Sequence, residues 1–192
     1  MDGDIIIVLL EIYINAILQA RELYPAAVFR KRKAFNIPVW IAIFNPLNEY
    51  LKRTLCAAVE LKRAKKLTKV ELLIYQEESG PLENYVFELE DLELPLATDE
   101  HMFELEDHVR KSLLNFGNQL KGLKRLSSAA TFKLLLHTTE AAHVRLAANP
   151  KLQDHPFVRD ASGAGFETNK RQLLPLVYTP TVGLNMYVQE FL

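Results

Sequence analysis

From Ile5 to Ala20 almost every position is apolar, interrupted only by Glu11, Asn15 and Gln19 at intervals of four. On a helix that spacing draws one narrow polar stripe along an otherwise buried cylinder, so the pattern predicts a core helix over about 4–24. Tyr24-Pro25 ends it, because the residue before proline is pushed out of helical geometry. An irregular, basic connection is expected next, then a short strand from Pro38 to Phe44, where β-branched and aromatic residues concentrate. Asn45-Pro46 supplies an N-cap followed by proline at the first helical position, and Leu47, Leu51, Leu55 and Ala58 share one face of the helix that follows. Lys69–Tyr75 and Leu82–Glu90 alternate as two strands joined by a Gly80-Pro81 turn, with Tyr85, Phe87 and Leu89 inward and Val86, Glu88 and Glu90 outward. Thr98 caps a third helix whose stripe is Met102, Leu105, Val109, Leu113, Phe116 and Leu120. Thr131–His137 alternates again, placing Phe132, Leu134 and Leu136 on one face of a further strand.

Beyond Ala141 the pattern breaks into short pieces at Asn149-Pro150, His155-Pro156, Ser162-Gly163-Ala164-Gly165, Pro175 and Pro180. Aromatic and aliphatic residues nevertheless persist to Phe191-Leu192, which a disordered tail would lack. An ordered, irregular wrap is expected, with a late hairpin of Leu173–Tyr178 and Leu184–Val188. The elements together predict one α+β domain, helices packed on a mainly antiparallel sheet.

Composition narrows the function. The 192 residues include 23 Lys plus Arg against 24 Asp plus Glu, so no global field draws in nucleic acid or an anionic membrane, and charge-driven binding must be local. The apolar N-terminal run falls short of the ~20 residues that cross a bilayer, and its acidic start does not fit a signal peptide. One cysteine, Cys56, forms no internal disulfide and reads as a spare core thiol in a reducing compartment. No phosphate loop, dinucleotide fingerprint, nucleophile elbow or metalloprotease helix is present. The histidines at 101, 108, 137, 143 and 155 lack chelating spacing, so no metal, cofactor or catalytic residue is expected. The run Arg30-Lys31-Arg32-Lys33 is read as a solvated loop between Phe29 and Phe35, since four charges neutralise only a few phosphates.

Several segments carry a family likeness: Arg21-Glu22-Leu23-Tyr24-Pro25, Phe29 through Lys33, Phe35-Asn36-Ile37-Pro38-Val39, Leu47-Asn48-Glu49-Tyr50, Glu83 through Glu88, Thr131-Phe132, Leu136-His137-Thr138, Glu140-Ala141-Ala142 and Leu174-Pro175-Leu176. In order and over nearly the whole chain they resemble the HORMA-domain family, within it the branch serving as accessory subunit of translesion DNA polymerase zeta. The resemblance implies a core over 1–150 and a C-terminal "safety belt" over 151–192 that closes across an extended peptide from a partner. It implies as partners the polymerase zeta catalytic subunit, through a proline-containing motif, and the C-terminal domain of a scaffold translesion polymerase. Other repair or checkpoint proteins and a remodelling AAA+ ATPase are also implied, as is a nuclear, also cytoplasmic, location.

By the same resemblance the peptide-binding residues are Tyr50, Phe132, Leu134 and Phe157, where Phe157 stands in place of a family tryptophan. The scaffold-partner surface is Leu173, Asn185 and Tyr187, with asparagine in place of a longer amide. The family arginine that supports self-association falls near Leu114. Two other readings use the same residues differently: a spindle-checkpoint HORMA protein gripping other clients, and a nucleic-acid module built on Arg30–Lys33 and the Lys62–Lys69 cluster.

Overall fold

The apolar N-terminal run folds as α1 (Ile5–Ala20) and is the hub of the core, with Leu9, Leu10, Tyr13, Ile14, Ile17 and Leu18 inaccessible to solvent. This computed structural model describes residues 5–90, 99–123, 125–126, 129–139, 142, 149–153, 155, 158, 168–175, 177–179 and 182–191. The helix is shorter than its pattern predicts. It gives way at Arg21, and Glu22 takes a positive φ of 54° before Pro25 is reached. Asn15 departs from the expected solvent stripe: it is buried, and its Oδ1 accepts the Ala42 N–H at 2.9 Å. A buried amide facing the end of a strand satisfies a backbone donor that would otherwise lack a partner.

The basic segment is a strand rather than a solvated loop. β1 (Phe29–Ala34) pairs antiparallel with β2 (Ile37–Ala42), and the turn residues Phe35 and Asn36 have φ of 46° and 61°. Positive φ at both central residues is the two-residue hairpin geometry whose twist matches the strands. α2 (Asn45–Arg63) begins one residue earlier than expected, with Phe44 at the cap position making no side-chain capping bond. Its predicted stripe of Leu47, Leu51, Leu55 and Ala58 is buried, whereas Cys56 is exposed and so is not the core thiol expected.

The main sheet has the order β5-β3-β4-β8-β6, formed by β3 (Leu67–Gln76), β4 (Gly80–Glu90), β5 (Thr131–Thr138), β6 (Thr168–Leu173) and β8 (Val182–Phe191), all neighbours antiparallel. β7 (Val177–Thr179) adds to β8 beyond Leu173. Gly80 carries a φ of 82° at the β3–β4 turn, a conformation that costs glycine little. Val70, Leu72, Ile74, Tyr85, Phe87, Met186 and Val188 form the inner face beneath α1 and α3 (Asp99–Lys121). Val86, expected outward, does lie on the opposite face but is buried there opposite Tyr187. In α3, Leu105, Val109, Phe116 and Leu120 are buried as the stripe predicts; the Thr98 cap and the Met102 side chain lie outside the described residues. No helix among the described residues is long and apolar enough to cross a membrane.

Candidate functional site

β5 is an edge strand. Its register with β3 runs from Leu67 opposite Thr138 to Tyr75 opposite Thr131, and no described strand pairs with its other side. The Leu134 N–H points to that free side, where it donates to the Tyr50 hydroxyl at 2.9 Å. Antiparallel pairing alternates the direction of backbone groups, so the N–H and C=O of Phe132 and Leu136 face the same free side. At an edge that no described strand covers, the outward backbone of three residues, with the Leu134 N–H shared with Tyr50, is a template for one more strand.

Aromatic rings close off one end of this edge. The Tyr50 ring, carried on α2, meets Phe132 edge-on at 5.8 Å; Tyr24 meets Phe132 at 6.2 Å and Phe44 at 6.5 Å. Phe44 is 45% exposed and the other three rings are half-buried, so an apolar wall faces outward beside the free backbone. Burial raises the Tyr50 hydroxyl above the ordinary tyrosine value, partly offset by the Leu134 amide, and keeps it neutral. Tyr50, Phe132 and Leu134 are thus brought together as expected, while Phe157 lies outside the described residues. Tyr24 and Phe44 were not among the expected site residues. In the sequence Tyr24 reads as a helix stop and Phe44 as a strand end, and only their convergence on Phe132 reveals a shared wall.

The C-terminal strands occupy the other side of the sheet. β8 lies on β4 with Tyr85 opposite Val188 and Phe87 opposite Met186, burying Leu184, Met186 and Val188. Ser112 on α3 ties this segment down: its hydroxyl donates to the Pro175 carbonyl at 3.0 Å and lies 2.7 Å from the Tyr13 hydroxyl. One serine therefore joins α1, α3 and the link between β6 and β7. Earlier along the same third of the chain, the short turn Pro150–Leu152 packs on α2, with Leu152 buried against Ala57 and Leu61.

Leu173, Asn185 and Tyr187 share the outer face of the sheet. Leu173 is directly opposite Tyr187 and 74% exposed, and Asn185 follows two residues along β8 on the same side. The Arg171 guanidinium stacks 3.6 Å over the Tyr187 ring, the Tyr187 hydroxyl donates to Glu88 at 3.3 Å, and Asn185 Nδ2 donates to Glu90 at 2.8 Å. Stacking and hydrogen bonds hold these side chains in place with Leu173 projecting beside them. On the same face Glu71 lies 2.6 Å from Lys69 Nζ and 3.2 Å from His137 Nε2. Burial alone would raise the Glu71 carboxyl, but His137 and Lys69 outweigh it and hold the group at about 2.

Among the described residues no group of three or more His, Cys, Asp or Glu side chains is placed to hold a metal. Leu114, where the resemblance puts a self-association arginine, is 60% exposed on α3.

A HORMA domain model matches residues 4–140. The chain is 33% identical over 188 residues to the DNA polymerase zeta subunit 2 of Drosophila melanogaster, covering 97% of this chain and 95% of that protein. It is 29% identical to the mitotic spindle assembly checkpoint protein MAD2B of Bos taurus, covering 98% and 90%. Among solved structures, a chain of the Mitotic Checkpoint Complex superposes with a TM-score of 0.76 at 19% identity, covering 97% of this chain and 96% of that one. HTP-2 of C. elegans bound to a HIM-3 closure motif gives 0.64 at 13% identity, covering 96% and 88%.

Proposed function

Because the chain belongs to the HORMA-domain family, with a matching domain model over 4–140 and a full-length relative at 33% identity, we propose that it is a non-catalytic adaptor of DNA polymerase zeta. In this reading it grips an extended, proline-containing peptide of the catalytic subunit on the β5 edge. The observation that carries it is the β5 edge that no described strand pairs: outward backbone at Phe132, Leu134 and Leu136, flanked by Tyr24, Phe44, Tyr50 and Phe132. HTP-2, of like fold, is bound to a closure motif, which supports a peptide client here, and the Drosophila melanogaster relative is a polymerase zeta subunit, which supports the polymerase zeta role.

The strand order supplies a reason for a belt. β5 ends at Thr138, level with the start of β3, while β6 begins at Thr168, opposite Phe191 at the other end of the sheet and on its far side. Leu152, packed near the C-terminal half of α2, and Thr168 are separated by the length of β5, about 23 Å, and by four strand spacings, about 19 Å. Residues 153–167 reach ~50 Å when extended, enough for a path that passes outside a guest strand. Enclosure changes the kinetics. Net hydrogen bonds of ~0.5–1.5 kcal/mol each and a few buried anchors make an open complex short-lived, whereas an enclosed peptide leaves only when the belt opens locally.

The residues Leu173, Asn185 and Tyr187 on the outer face then remain clear of the gripped peptide, and in this reading they receive the C-terminal domain of a scaffold translesion polymerase. Site of action in the nucleus follows from that role. A pull-down with the catalytic subunit's motif peptide tests the grip: the wild type retains it and Tyr50→Ala loses most of it. Equal retention by a folded Tyr50→Ala protein removes the β5 edge as the site. Hydrogen exchange adds a second reading, since residues 153–167 gain protection when the peptide saturates a true clasp.

A further inference from the structure

The sides of β1 divide the basic run into two pairs. Lys31 faces Trp40, with Nζ 5.1 Å from the ring, whereas Arg30 and Arg32 lie on the opposite side of the ribbon, with Arg30 opposite Ile41. That second side turns toward α1 and α2 and bounds a cleft of about 650 Å³. Its walls are mainly aliphatic, including Ile7 of α1, Val59 of α2, Ile41 of β2 and Ile43 just after it, with the Asn15 and Asn48 amides between them; Ile43 is 46% exposed. Around them stand Arg30, Arg32 and Lys52, with Glu11 as the lone carboxylate. No hydrogen bond or ion pair among the described residues engages the three cationic side chains, all of them exposed.

We propose that this cleft is a second docking site, separate from the β5 edge, for a partner segment in which carboxylates flank aliphatic side chains. Two features select that occupant. The exposed Ile43 and the half-buried Ile7, Ile41 and Val59 gain by burial against aliphatic side chains, and three cations against one anion give the rim a net positive field that favours acidic neighbours and repels basic ones. Nucleic acid fits less well: no aromatic ring lines the cleft for a base to stack on, and Glu11 opposes a phosphate. The volume falls in the range that takes a short run of side chains rather than a whole domain.

The chain carries its own reporter, because its single cysteine, Cys56, is exposed and lines the cleft. The 192-residue chain is labelled at Cys56 with a trifluoromethyl thiol group and followed by fluorine NMR. It is titrated with a peptide alternating leucine and glutamate, a leucine–lysine peptide of equal length, and a single-stranded oligothymidine. The expected result is a saturable shift with the leucine–glutamate peptide alone. Arg30→Glu combined with Arg32→Glu is expected to weaken that response about tenfold, the effect of two partly exposed charge pairs, and Lys52→Glu on α2 to act in the same direction. An unchanged melting temperature and unchanged capture of the β5-edge client show that the variants are folded and the proposed clasp is intact. No shift, an equal response to the lysine peptide, saturation by oligothymidine at lower concentration, or charge reversals without effect would each overturn the proposal.

Discussion

Changing Tyr50 to Phe separates the hydroxyl of the edge from its ring. In the free protein the hydroxyl accepts the Leu134 N–H at 2.9 Å, so it occupies one of the outward donors that an added strand must use. A guest strand pairing along Phe132–Leu136 has to displace it, and displacement costs the net value of that hydrogen bond, ~0.5–1.5 kcal/mol. Removing the hydroxyl relieves the guest of this cost while the T-shaped contact with Phe132 stays. Tyr50→Phe is therefore expected to bind the client peptide about twofold to tenfold more tightly, at 1.4 kcal/mol per factor of ten. The free variant should also melt slightly lower. Tyr50→Ala goes the other way, because it also removes the ring that a guest side chain packs on, and losing such a buried contact costs ~1.5–3 kcal/mol, more than the displaced hydrogen bond returns. Isothermal titration calorimetry on the three proteins decides it. If Phe and Ala weaken binding equally, the hydroxyl belongs to the bound grip; if neither changes it, the client does not use this edge.

Other consequences follow from the buried networks. Arg21 makes a two-pronged bond with Glu83, at 2.9 and 2.6 Å, with both side chains 5% exposed and the Tyr85 hydroxyl donating to the same carboxylate. Arg21→Met should cost ~3–5 kcal/mol in urea unfolding, and adding Glu83→Gln should recover part of it, because the loss comes from a stranded buried charge. Ser112→Ala should cost ~1–3 kcal/mol and speed hydrogen exchange over 174–188 while leaving β3 and β5 unchanged; uniform acceleration across the sheet would mean that Ser112 is not a latch for the C-terminal strands. Glu71 sets an acid limit. Its carboxyl is held down at about 2 against a usual 4.5, so its contribution is complete above about pH 4.5 and is lost as pH falls through about 2. Wild type should lose more stability than Glu71→Gln across that interval, and parallel acid-unfolding curves would refute the assignment.

The elements with strong periodicity were legible in the sequence. The inward stripes of α2 and α3 state which face is buried, and the alternation of β5 states that Phe132, Leu134 and Leu136 pack toward the core, because contact with the core on one face is what selects those patterns. The order of the family-like segments along the chain likewise identifies the family. Local signals misled where long-range contacts overrode them. Arg30–Lys33 looks like a loop by composition, yet pairing with Ile37–Ala42 makes it a strand whose cations alternate sides. Asn15 looks like part of a solvent stripe, yet the end of β2 lies across it and supplies a buried donor. Cys56 looks like core, and sits instead beside an open cleft.

By itself the sequence determined which residues are apolar and with what period, and therefore the three helices, the strands of strong alternation and the inward side of each stripe. Tertiary structure alone decided strand order and register: that β8 takes the β4 side, leaving β5 unpaired among the described residues, that Tyr24 and Phe44 join Tyr50 on one wall, and that Leu173 comes to lie opposite Tyr187. The physical reason is that a backbone hydrogen bond carries no side-chain label, so any edge can accept any strand. Which edge is filled is settled by packing between residues far apart in the chain, as when Ser112 holds Pro175 beneath α3.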